Sequence, residues 1–154
     1  MSLVEYRRAE MADVTRLAGL PRPGEAGGDP RMRAYLAGEH HPQQALRPRA
    51  LWVAEWGPIA IGYVAGHLSR RFGCDGELQW IYVVPEWRRA GVASRLLALQ
   101  ARWFVARGAR RVCVDVGDEA ARPFYQRHGA EPLKQHWMIW PDIGRVLDSA
   151  TAPP

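Results

Sequence analysis

Apolar Val4 and Tyr6 alternate with polar Glu5 and Arg7, and residues 4–9 read as a first strand. Val14, Leu17, Ala18 and Leu20 then recur at helical spacing, and Pro21-Arg22-Pro23-Gly24 with Gly27-Gly28 break that helix. Asp29-Pro30 reads as an N-cap followed by proline in the first turn, so a short helix is expected from about residue 30 toward Gly38. Residues 38–48, rich in His, Gln and Pro, carry no clear period. Strands are predicted at 50–55, 59–69 and 77–84, with turns at Gly57-Pro58 and Gly73-Cys74-Asp75-Gly76. Asp75-Gly76 is a hairpin signal, and three strands in series make an antiparallel meander. Gly62 and Gly66 inside the second of them mark a bend or a close backbone approach.

Pro85 stops the strand at 77–84, and a helix follows with Val92, Leu96, Leu97, Leu99, Trp103 and Phe104 on a broad apolar face, ended by Gly108. Residues 110–116 alternate as a strand. Asp118 is placed to cap a helix carrying Ala121, Phe124 and Tyr125, which Gly129 closes. A last strand at 133–140 ends at Pro141. No repeat or long linker divides the chain, so residues 1–147 read as one domain and 148–154 as a loose tail.

Composition adds two constraints. Of 21 basic residues only Lys134 is a lysine, and the net charge is +5. Arginine suits phosphate because its planar fork donates two hydrogen bonds at once, although a solvated basic surface accounts for the same count. Cys74 and Cys113 fit no disulfide or zinc framework, and Cys113, between valines, reads as a small core residue. The five histidines show no metal spacing and read as unliganded surface or edge residues. The tryptophans read mostly as core, with a few left to line a cleft; Trp80, on the strand face opposite Glu77 by simple alternation, offers a wall for a flat or cationic amine. The chain has no run long enough to span a bilayer and no apolar leader, so a cytoplasmic protein without membrane attachment is expected. It also lacks a nucleic-acid-binding signature.

The stretch with the most chemical content is Val83-Val84-Pro85-Glu86-Trp87-Arg88-Arg89-Ala90-Gly91-Val92-Ala93-Ser94. A strand stops, arginines and small residues turn the chain, and a helix begins. Helix N-termini present free N–H groups and the positive end of the dipole, so this is either an anion cradle or a plain strand-to-helix connection. Its spacing is neither GxxxxGK[ST] nor GxGxxG.

Arg88-Arg89-Ala90-Gly91-Val92-Ala93 resembles the R/Q-x-x-G-x-G/A motif of the GNAT superfamily of N-acetyltransferases. Asp118 through Ala130 resembles that family's second signature, and Tyr6-Arg7-Arg8-Ala9 with Asp13-Val14 its opening. The resemblance runs in order over nearly the whole chain. It implies an α/β (α+β) fold: one GNAT-like domain with a mixed central sheet of about six to seven strands and about four helices, antiparallel in its first half, with the parallel fourth and fifth strands splayed. It further implies acetyl-CoA as cosubstrate and an amine as acceptor, with no metal and no nucleic acid. The amides of Arg89, Ala90, Gly91, Val92, Ala93 and Ser94 would hold the pyrophosphate, Arg88 and Arg89 would pair with phosphates, and the backbone of Ile81, Tyr82 and Val83 would meet the pantetheine arm.

By the same resemblance Tyr125 is the expected general acid, against a reading as a core aromatic. Glu77 is the expected general base, against a strand-edge carboxylate, with Asp115 as runner-up; Cys113 shows that the arrangement with a glutamate near there is not repeated. Asp118 stands where the family has asparagine and cannot donate to the coenzyme arm, which leaves it open as a helix cap. Ala130 replaces a phenylalanine. The family sets its acceptor through regions that here are about 20–48 and 131–145. A small-molecule amine attacking directly in a ternary complex is the leading expectation; a protein or peptide acceptor and a non-catalytic acyl-CoA sensor are the alternatives. Dimers are common in proteins of this appearance.

Overall fold

The computed structural model describes residues 3–20, 28–39 and 42–151. Seven strands, β1 (Val4–Arg8), β2 (Ala45–Trp56), β3 (Ile59–Ser69), β4 (Gly76–Val83), β5 (Val112–Asp115), β6 (Glu131–Lys134) and β7 (Trp137–Trp140), form one sheet in the order β1-β2-β3-β4-β5-β7-β6. All neighbours are antiparallel except β4 and β5. Among the described residues five helices accompany them: α1 (Val14–Ala18), α2 (Gly28–Leu36), α3 (Val92–Ala106), α4 (Arg122–Arg127) and α5 (Arg145–Thr151). The mixed sheet with an antiparallel first half is as expected.

Each face of the sheet has its own core. On one side α3 buries Val92, Leu96, Leu97, Ala101, Trp103 and Phe104 against Ile61, Val64, Leu78, Val112 and Val114, with Val146 of α5 beneath. On the other, Leu17 of α1 and Met32 and Tyr35 of α2 cover Leu51, Val53, Tyr63 and Ala65. Two glycines admit the long helix to the sheet. A Cβ on Gly66 would come within 2.6 Å of Gln100 Nε2, and one on Gly76 within 2.5 Å of Phe104 Cε1. Gly66 is thus the close approach that the sequence signalled.

Several expectations change. Asp75-Gly76 is not a two-residue hairpin turn. A 3₁₀ turn at Arg71–Gly73 reverses the chain, Gly76 opens β4 against Phe104, and Asp75 Oδ2 accepts from the backbone N–H groups of Arg110 and Arg111 at 2.9 and 3.0 Å. The last strand is two, β6 and β7, joined through Gln135 at φ 48°. Helix α2 begins at Gly28, two residues before the expected start, and β2 reaches back to Ala45. Helix α5 carries residues 148–151, which had read as tail. The breaker residues 21–24 and 27, the histidines at 40–41 and residues 152–154 lie outside the described residues. No helix among the described residues is long and apolar enough to cross a membrane.

Candidate active site

Strand β4 pairs with β5 only through Gly76↔Val112, Glu77↔Cys113 and Leu78↔Val114. Beyond Leu78 its other edge stays on β3, from Ala65↔Trp80 to Gly62↔Val83. Among the described residues the outer edge of β4 from Gln79 to Val83 therefore has no strand beside it, and the sheet opens there into a V. Unpaired edge amides and carbonyls are ready to pair with an extended ligand. A cleft of about 780 Å³ occupies the opening, lined by residues of α2, β4, β5, α4 and β7.

The break has a local cause. Between Ala65↔Trp80 and Gly66↔Leu78 the register skips one residue, so Gln79 is a β-bulge. A bulge inverts the alternation beyond it. Leu78 and, after the bulge, Ile81 and Val83 pack on the α3 side. Trp80 and Tyr82 pack on the α1/α2 side. Glu77 lies on this second side as well, with His67 Nε2 at 3.7 Å from its Oε1, and Tyr35 contacts both His67 and Trp80. The expected placement, with Glu77 sharing a face with Gln79, Ile81 and Val83 and opposite Trp80, is therefore corrected: Glu77 and Trp80 face the same side.

At the wide end of the V, a 3₁₀ turn at Pro85–Trp87 leads into an exposed loop and then α3. Arg89 (φ 62°) and Gly91 (φ 82°) are both left-handed, and the N-terminus of α3 has no side-chain cap. A Cβ built on Gly91 meets nothing within 4 Å. The first amides of a fifteen-residue helix thus carry no side-chain cap, on the segment that follows β4. Arg88 folds back: its Nε donates to the Val83 carbonyl at 3.0 Å and its guanidinium lies over Tyr82. Ser94 Oγ meets His128 Nε2 at 3.0 Å. Burial, with Arg127 adding to it, holds His128 below its usual range, so this ring is neutral near pH 7.

Tyr125 and Glu77 both line the cleft. Tyr125 is nearly fully buried, edge-on to Phe124 and Trp140, and its hydroxyl carries no hydrogen bond among the described residues. Burial, and then the charge of Asp115, push its phenol well above the usual tyrosine range. Glu77 is 4% exposed; its Oε1 accepts from Arg71 Nε at 2.8 Å, while Oε2 carries no hydrogen bond among the described residues. Asp115 also lines the cleft, with Oδ1 held by His136 Nδ1 and Gly117 N–H, both at 2.9 Å. Asp118 caps the 3₁₀ turn at Glu119–Ala121 by accepting from Ala120 N–H. Ala130 is buried in the α3-side core.

Residues that sequence reasoning did not single out complete the cleft: Arg31, Gln43 and Arg71. His67, expected at the surface or an edge, is fully buried, with Tyr35 Oη at 2.8 Å from its Nδ1. Of the tryptophans, Trp103 and Trp140 are buried, Trp56 is exposed, and Trp80 and Trp137 are half-buried cleft walls. Cys74 and Cys113 are buried free thiols; contact with Cys74, and then burial, push the Cys113 thiol far up, which makes it an inert core residue.

The sequence model of the Acetyltransferase (GNAT) family matches residues 16–130. The aminoglycoside N(6')-acetyltransferase type 1 of Salmonella typhimurium is 32% identical over 76 residues, which are 46% of this chain and 52% of that protein. The chain thus spans about half the length of the curated relatives it matches. Among solved structures, AAC(6')-Iy in complex with the bisubstrate analogue CoA-S-monomethyl-acetylneamine superposes with a TM-score of 0.67 and 25% identity, covering 87% of this chain and 95% of that one. A ribosomal-protein-alanine N-acetyltransferase from Brucella melitensis gives 0.62 and 19%, covering 86% and 96%. At that identity the second likeness is one of fold alone.

Proposed function

Since the chain belongs to the acetyltransferase (GNAT) family, we propose that it is an acetyl-CoA-dependent N-acetyltransferase acting on a primary amine of a small molecule. The observation that carries this reading is the unpaired edge of β4 followed in the chain by the uncapped N-terminus of α3. An extended amide-bearing arm fits the first and an anionic pyrophosphate the second. Bound acetyl-CoA supplies an activated acetyl group as a thioester.

The residues divide the remaining work. The amides of Arg89 to Ser94 bind phosphate, with the side chain of Arg89 in the exposed loop and that of Arg88 turned back over β4. Ile81, Tyr82 and Val83 offer backbone groups to the arm, although the Val83 carbonyl is already engaged by Arg88. Tyr125 holds a proton for the departing sulfur; its raised pKa keeps the phenol protonated throughout the physiological range. Glu77 Oε2, lining the same cleft, receives the proton that the amine loses as its nitrogen bonds to the acetyl carbon. Acyl carbon passes from sulfur to nitrogen and each heteroatom changes one proton, so no nucleophilic cysteine is required. Asp118, committed to its cap, takes no part that needs a hydrogen-bond donor.

Calorimetric titration of acetyl-CoA into the protein, followed by thiol-release assays over an amine panel, tests the proposal. Stoichiometric binding with amine-dependent thiol release is the expected result. Binding without turnover on any amine would favour an acyl-CoA sensor, and absence of binding would remove the site assignment altogether.

A further inference from the structure

An aminoglycoside N-acetyltransferase and a ribosomal-protein-alanine N-acetyltransferase share this fold, so the acceptor has to be read from this chain's own cleft. Its acceptor side carries two guanidinium groups, Arg31 on α2 and Arg71 after β3, and two carboxylates, Glu77 and Asp115. Each carboxylate already has one oxygen engaged. Arg71 Nε holds Glu77 Oε1 at 2.8 Å, and His136 Nδ1 holds Asp115 Oδ1 at 2.9 Å.

The aromatic walls are engaged in the same sense. The Arg31 guanidinium lies over Trp80, 5.8 Å from the ring centroid, and that of Arg71 lies over Trp137 at 4.7 Å. A cationic amine seeking a tryptophan face would meet a cation already there. A polycation finds each carboxylate already holding a partner and each tryptophan of the cleft already carrying a guanidinium, in a protein whose net charge is +5.

Arg71 has capacity left for an anion. Its Nε goes to Glu77, its Nη1 reaches Gln43 Oε1 at a long 3.4 Å, and its Nη2 carries no hydrogen bond among the described residues. With the side chain 15% exposed, this donor edge borders the cleft in a poorly solvated position, where a charge-assisted bond is strongest.

We propose that the acceptor is a small amine bearing a carboxylate, as in an amino acid, and that Arg71 grips the carboxylate. The inference rests on the N-acetyltransferase reading and narrows it. It replaces the sequence-based picture of an aromatic wall for a cationic amine.

Matched acceptors test it. Amino acids, the corresponding C-terminal amides, and the polycations spermine and kanamycin are compared by thiol release at saturating acetyl-CoA. The free acids are expected to exceed their amides about 10- to 100-fold in kcat/KM, chiefly through KM, and the polycations to be the poorest. Arg71→Gln should shrink the acid-to-amide ratio toward one; damage to Glu77 would lower both members and leave their ratio standing. Amides or polycations turned over as well as the acids by the wild-type protein would overturn the proposal while leaving acetyl transfer intact. If no amine supports thiol release, the N-acetyltransferase reading fails instead. Calorimetry of the acids and amides against wild-type protein then decides the carboxylate site: heat from the acids alone sustains it, and equal or absent heats overturn it.

Discussion

Substitution at Gly91 separates folding from anion binding at one position. Gly91 sits at φ 82° at the N-cap of α3, and a Cβ there meets nothing within 4 Å. Gly91→Ala therefore costs only left-handed strain, about 1–2 kcal/mol, or a fall in Tm of roughly 2–4 °C per kcal/mol for a chain of this size. Gly91→Glu carries the same strain, but its carboxylate lies at the positive end of the helix and recovers about 0.3–1 kcal/mol. A ligand pyrophosphate at the same amides would face that carboxylate. At about 5 Å, with an effective dielectric between about 20 and 80, each pair of unit charges repels by about 1–3 kcal/mol, or about 5- to 150-fold in affinity. The two readouts must diverge. By thermal denaturation the Glu variant equals or exceeds the Ala variant, whereas by acetyl-CoA calorimetry it binds at least about fivefold more weakly. Equal coenzyme affinity in the two variants would show that no phosphate sits at this helix end.

Three further outcomes are expected. Tyr125→Phe should lower kcat by about 100-fold with coenzyme Kd nearly unchanged; because burial raises the phenol's pKa, the alkaline fall in wild-type kcat attributable to this acid should lie above pH ~10, and normal turnover in the variant would remove Tyr125 from the mechanism. Asp13 accepts from Arg7, Arg16 and the Glu10 N–H, and the Arg7 hydrogen bond leads in holding its carboxyl well below the usual range; the stability it contributes is present above pH ~4 and lost as pH falls, so Asp13→Asn should lower Tm clearly near pH ~7 and progressively less toward pH ~2, and an equal loss at both would refute the linkage. Gly76→Ala should cost about 1–3 kcal/mol by driving a methyl into Phe104, with partial rescue by Phe104→Leu in the double mutant; an undestabilised single variant would show that the helix has room to move.

Much of this architecture is written locally. The apolar face of α3, the stop at Pro85, the small residues around Gly91 and the cap at Asp118 are set by residues within a few positions of one another, and each lies where the pattern placed it. The cleft wall is different. Arg31, Arg71, Glu77 and Trp137 stand on four separate segments, and nothing in their spacing joins them. Tyr35 and His67 are 32 residues apart and meet only because α2 covers β3. Asp75-Gly76 carries the local signature of a hairpin turn, yet Phe104 and the Arg110 and Arg111 amides, all distant in sequence, decide how those two residues are used.

The Gln79 bulge shows why alternation misleads at this site. Reading a strand by period two assumes that every residue takes a place in the ladder, and β4 gives up one place at Gln79. The consequence reaches past the strand. Were Gln79 to take a regular place in the ladder, Trp80 would point toward α3 and Ile81 toward α2; with Gln79 bulged out, Glu77 and Trp80 stand together on the side where Arg31 and Arg71 are, and Ile81 and Val83 rejoin the α3 core. The pairing with β5 ends at Leu78, immediately before the bulge. One inserted residue thus coincides with the opening of the sheet and sorts the side chains around it. A coenzyme arm on the free edge would lie along the outer half of β4, while Glu77 and Trp80, proposed to face the acceptor, project from its α1/α2 face. The bulge is therefore part of the site's construction, and its side chain, with Oε1 buried and unpartnered among the described residues, borders the cleft it creates.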